Sequence, residues 1–166
     1  MKCFSAIVFL LFFSVQLSYA QNEIARERSS LTGIKEMGVV VNIEKPIGLV
    51  NPSLDVTWVR QQIVESFEDL PVRILDDKIL KQSDEFPILH VHVNIMRASN
   101  LTLPFSIELN FYQPVKLVLN RDLKTMAITW NKGQVGLVSE NMIPIIVEEA
   151  VALSSLFKDA FEEVNL

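Results

Sequence analysis

The sequence predicts an α+β domain: a two-layer sandwich in which a mixed sheet of about five strands, in chain order βαββββα, carries two helices on one face. Three observations predict it. Apolar residues alternate in three successive runs: Leu89, Val91, Val93 and Ile95; Phe105, Ile107, Leu109 and Phe111; Met126, Ile128 and Trp130. A period of two marks a strand with one buried and one solvated face, so these runs read as an antiparallel meander. Two other stretches, Val56 to Leu70 and Ile143 to Val164, repeat their apolar residues every three to four positions, which makes a helical stripe.

The chain opens with Lys2, an apolar run from Phe4 to Val15, and small residues at Ser18 and Ala20 ahead of Gln21. That order is the pattern of a secretory signal peptide cleaved near Ala20; the run is too short, and the stretch from Gln21 to Arg28 too polar, for a membrane span. An uncleaved N-terminal anchor is the alternative. The expected organisation is therefore 1–20 signal peptide, 21–30 flexible leader and 31–166 a single domain, exported to the periplasm or beyond. Cys3 is the only cysteine and leaves with the signal peptide. A mature chain of about 145 residues is long enough to hold together through its core without a disulfide. Thiol catalysis, cysteine-ligated zinc and a cysteine-linked lipid fall away with that residue. Without Lys2 the chain holds 14 basic against 20 acidic side chains, with no cluster of three or more basic residues. Such a balance disfavours nucleic acid and peripheral membrane binding.

Taken in order, Met37, Val39, Val41 and Ile43 alternate in a first strand, and Lys45 to Leu54, with Pro46, Gly48 and Pro52, is a loop. Asp55 caps the first helix by accepting from its unpaired amides, and Pro71 ends it. Val72 to Leu75 makes a short strand, which after a helix should lie parallel to the first. Asp76 to Glu85 is a surface loop with room for one helical turn. Between the first two meander strands, Asn100-Leu-Thr102 has the form of a glycosylation acceptor, relevant only in a eukaryote. Pro114 should kink the middle strand, because proline cannot donate to a ladder. Val115, Leu117 and Leu119 resume the alternation, Arg121-Asp122 makes a tight turn, and the third strand ends at Trp130. Gly133 and Gly136 then shape a turn and a loop. Asn141 caps the last helix, with Pro144 in its first turn.

His90 and His92 project from one strand face, with Glu108 on the neighbouring strand as a third candidate ligand. Two histidines and a carboxylate are a catalytic zinc set, although the alternation itself asks for polar residues at those positions. No serine, histidine and acid arrangement accompanies them. Glu148-Glu149 and Glu162-Glu163 diverge by about 100° on their helices and cannot flank one bond. Trp130 continues the apolar side of its strand and reads as core, whereas Trp58 lies off the helical stripe and is a candidate partner surface.

Leu31-x-Gly33-Ile34, Leu54-Asp55 with Arg60, Glu108-Leu109 with Gln113, Val115 and Leu117, Arg121, Thr129-Trp130 with Gly133 and Gly136, and Phe161 with Asn165 carry a resemblance. Through them the chain resembles a group of small exported bacterial proteins of unknown function. That likeness implies export in a bacterium and no activity. The order of elements is also similar to periplasmic envelope-assembly modules such as the lipopolysaccharide-assembly plug lipoprotein, from which this chain departs in lacking an acylated cysteine. The expected function is an exported, non-catalytic binding or envelope-assembly accessory domain. Its expected partner is a protein or glycan of the cell envelope, with no cofactor, no nucleic acid and no stable membrane insertion. The alternative is a metal-dependent, hydrolase-like enzyme using His90, His92 and Glu108. Homo-oligomerisation through sheet edges or the polar sheet face is a third course.

Overall fold

The computed structural model describes residues 25–83, 85–98 and 101–166. The expected signal peptide with Cys3, the start of the leader and the Asn100 acceptor lie outside the described residues.

The elements follow the expected order. β1 (Glu36–Glu44) leads through a 3₁₀ turn (Pro52–Leu54) to α1 (Val56–Glu65), β2 (Arg73–Leu75) and a one-turn α2 (Asp77–Leu80). β3 (Ile88–Ile95), β4 (Thr102–Lys116) and β5 (Lys124–Ser139) form the meander, and a second 3₁₀ turn (Glu140–Met142) enters α3 (Pro144–Asn165). The sheet order is β2-β1-β3-β4-β5. β1 is parallel to both its neighbours, and the remaining pairs are antiparallel.

The strand register follows the alternation. In β3, Leu89, Val91, Val93 and Ile95 are buried while the residues between them stay half-exposed. They face the same core as Phe105, Ile107, Leu109 and Phe111 of β4 and the stripes Val59, Ile63 of α1 and Ile146, Val147, Ala150, Phe157, Phe161 of α3. Both long helices therefore cover one face. Phe157 is the aromatic centre of that layer, with ring centroids 5.0 Å from Phe111, 5.2 Å from Trp130 and 5.8 Å from Phe67. Ser154 is fully buried among these apolar residues and donates to the Ala150 carbonyl one turn back, 2.8 Å away, so its hydroxyl is not left unpaired in the core.

Several polar side chains close backbone groups that the strand ladders leave open. Asp55 accepts from the Trp58 amide and starts α1, as its sequence position predicts. β2 stops at Leu75, which leaves the Val39 and Leu75 carbonyls without ladder partners; Arg60 reaches down from α1 and donates to both, at 2.8 and 3.2 Å. Residues 25–29 are helical and run against β5 and α3: Ser30 Oγ donates to the Thr129 carbonyl, Arg28 pairs with Glu163, and Gln113 donates to the Ser30 carbonyl. Asn165 completes the closure, accepting from Gly33 N–H and donating to the Leu31 and Phe161 carbonyls.

Four local expectations are corrected. α1 closes as a regular helix at Glu65, and turns carry Phe67 and Leu70 into the core before Pro71. β4 runs through Pro114 with its pairing to β5 unbroken; the register irregularity sits at Phe111/Tyr112, where Thr129 is the extra residue on β5. The third meander strand does not end at Trp130. It continues to Ser139, and Gly133 and Gly136 are inside it. A side chain at Gly136 would overlap the Phe105 ring, which lies across that gap, so the glycine answers to cross-strand packing rather than to a turn. Finally, Asn141 does not cap α3. It lies within the 3₁₀ turn, and Ile143 holds the cap position without a side-chain bond, ahead of Pro144 in the first turn.

Candidate functional site

The face of the sheet turned away from α1 and α3 is the candidate site, and the strand registers map it row by row. Asn42, His92, Glu108 and Gly133 form one row across β1, β3, β4 and β5; Val40, His90, Asn110 and Asn131 form the next. Beyond them Asn94 and Ser106 lead to Val135 on one side, and Ile88 and Tyr112 lead to Ile128 on the other. Among the described residues one end of this face is roofed, where Leu80 of α2 packs over Gly38, and the helix-free part lies beyond it.

The middle of the face is polar with little formal charge. Asn42, Asn94, Asn110 and Asn131 each bring an amide that both donates and accepts. Among the described residues their side chains make no hydrogen bond with one another or with a neighbour, and neither do those of Glu108 and Tyr112. Gly133 leaves a shallow gap beside Glu108, the nearest atom to an added side chain being the Ile107 carbonyl oxygen at 3.6 Å. Exposed apolar residues border this band: Val135 is 83 % exposed and Leu137 64 %. A surface of amides edged by apolar side chains suits contact along an extended partner more than enclosure of a small reactant.

His90 and His92 do share this face, as expected, but they are half-buried rather than fully solvated. Their rings stack with centroids 6.0 Å apart, and Tyr112 lies 6.3 Å from His90. Burial, and then the neighbouring His92, lower the pKa of His90 below the ordinary 6.5, favouring the neutral ring. His92 Nε2 is 3.4 Å from Glu44 Oε1, yet the alignment makes no hydrogen bond and the nitrogen is buried without a partner among the described residues. Glu108 stands opposite His92 on β4. The three expected ligands therefore lie on one face, but among the described residues no group of three His, Cys, Asp or Glu side chains converges as a metal site.

The other residues that stand out in the sequence fall elsewhere. Trp130 is buried beside Phe157. Trp58 is 44 % exposed on α1, away from the helix-free face. Arg60, Gln113, Thr129, Gly136 and Asn165, which carry the resemblance, all serve the backbone closures and packing described above. The four asparagines do not stand out in the sequence, because only the register of four strands shows that they share a face, Asn110 beside Asn131 in one row and Asn42 and Asn94 in the two rows after it. Clefts flank the face among the described residues. One of about 400 Å³ lies between Leu80, Ile88, Pro114 and Met126, with the Glu85–Lys124 pair at its rim; one of about 260 Å³ lies beside Arg60 where β2 stops.

No family model matches the chain, and no curated protein does. Among solved structures the chain is similar to a PelC variant dodecamer from Paraburkholderia phytofirmans. The match has 12 % identity and a TM-score of 0.42, over 78 % of this chain and 89 % of that one. No helix of the described residues is long and apolar enough to cross a membrane.

Proposed function

We propose that the chain is an exported accessory domain of the bacterial envelope that binds an envelope partner along the helix-free face of its sheet and catalyses no reaction. A glycan segment is the partner class that the face fits best. The observation that carries this reading is the band of Asn42, Asn94, Asn110 and Asn131 with its unpaired donors and acceptors, interleaved with imidazole rings and Tyr112. Hydroxyl-rich chains present alternating donors and acceptors, which neutral amides match without the desolvation cost of a charge.

Sedimentation with insoluble envelope glycan tests the proposal. The exported protein, whose mass should place its first residue near Gln21, is expected to be retained. Replacing Asn110→Ala and Asn131→Ala together should weaken retention by roughly 10-fold, since each lost hydrogen bond is worth about 1 kcal/mol or less. Retention unchanged by the double substitution would place the contact elsewhere. Release of soluble sugar by the parent protein, abolished in a His90→Ala, His92→Ala variant, would replace binding by the metal-dependent hydrolase.

A further inference from the structure

A second surface is independent of the helix-free face. β3 begins at Ile88, which pairs with Tyr112, so the later residues of β4 have only β5 beside them: Gln113 with Ala127, Pro114 with Met126, Val115 with Thr125, Lys116 with Lys124. Four pairs at 3.3 Å per residue make a two-stranded ribbon projecting about 13 Å beyond the three-stranded part of the sheet. Such a ribbon has little stability of its own. It is tied to the body by Lys124 to Glu85 and by Gln113 to Ser30. The turn that closes it, 117–123, is held by backbone bonds from Leu117 to Leu123 and from Leu123 to Asn120.

The turn exposes Leu117, Val118, Leu119 and Leu123, with Leu119 wholly in solvent and Val118 nearly so. Scattered apolar residues on a surface need no explanation, but four within seven positions at the tip of a projecting arm do. Around them stand Lys116, Arg121 and Lys124 against Asp122 and Glu85, the latter paired with Lys124. With Lys124 balanced by Glu85, Lys116 and Arg121 outnumber Asp122, and the tip is positive by one charge on a chain whose net charge is −5. We infer that this hairpin tip is a membrane-surface contact: Leu117, Val118, Leu119 and Leu123 enter the headgroup boundary of an anionic bilayer while Lys116 and Arg121 meet its phosphates. The charge pattern selects that occupant. An acidic body is repelled by anionic lipid and a basic tip attracted, so the same field brings the molecule in tip first. Aliphatic side chains alone bind weakly and reversibly, and the added cations supply a second signal.

Quenching by brominated lipid tests the inference on the full chain with a reporter confined to the tip. In a Leu119→Trp variant the added indole should be quenched several-fold more than the parent's Trp58 and Trp130 background on vesicles of brominated phosphatidylglycerol with phosphatidylethanolamine. Quenching should be weak on brominated phosphatidylcholine. It should be lost when Lys116→Glu and Arg121→Glu are added, and reduced by high salt. Quenching no greater than the parent's would overturn the inference, as would equal quenching on both lipids. So would a doubled solution mass that Val118→Ser with Leu119→Ser abolishes, because the tip would then be covered by a second copy of the chain.

Discussion

At the scale of single residues, several polar side chains that stand out in the sequence close backbone groups. Arg60 closes the two carbonyls that the short β2 abandons, and Gln113 with Thr129 fastens the bulge to the segment before β1. His90 differs, because its ring is half-buried beside another imidazole. Its lowered pKa means that the folded state holds fewer protons than the unfolded state over the same pH range. This contribution to stability is therefore complete above the unfolded value near 6.5 and is lost as pH falls through the folded value. Urea denaturation at a series of pH values should show stability declining as pH drops below 6.5. A His90→Asn variant should decline less over the same interval, and identical curves would show that the imidazole feels no burial.

At the scale of elements, β5 shows where reading the sequence stops. The buried alternation of β3 from Leu89 and of β4 from Phe105 is legible, because each core residue is apolar and each residue between is polar. Beyond Trp130 the strand carries Lys132, Gln134 and Gly136 toward the helices, so its apolar alternation fails although its pairing does not. Those positions are satisfied by tertiary partners, Glu27 for Lys132, Glu149 for Gln134 and the Phe105 ring for Gly136, which no local pattern records. The two glycines should respond differently to one added methyl group. Gly136→Ala forces the Phe105 ring out of its place and should cost about 1–3 kcal/mol. Gly133→Ala enters open space at ordinary contact distance and should be neutral or stabilising by about 0.4–1 kcal/mol. Thermal melts of the two variants side by side check the contrast, and equal shifts would refute the packing role of Gly136. The candidate face is hidden for a related reason. Its histidines are visible as a pair in one strand, whereas its four amides come from β1, β3, β4 and β5 and share a face only through register. The basic tip is hidden likewise, since Lys116 and Lys124 are separated in sequence and brought opposite each other by the hairpin.

At the scale of the whole molecule, the fold class, the element order and the placement of both long helices on one side agree with expectation, because amphipathic stripes of that length have nowhere else to bury. What holds the sandwich closed at its rim is less visible: the Asn165 amide spans Leu31, Gly33 and Phe161. Asn165→Ala should lower stability by about 1–2 kcal/mol through the partners it leaves unpaired. Amide exchange at Gly33 should quicken in the same variant, and unchanged exchange would show that water replaces the amide at no cost. The bond from Asn165 to Leu31 joins positions 134 apart, and Arg28 to Glu163 joins positions 135 apart. Closing so wide a loop is slow, and here the closure waits until residues 161–165 have been synthesised. During translation the seam between the two ends thus stays unsewn until those residues emerge.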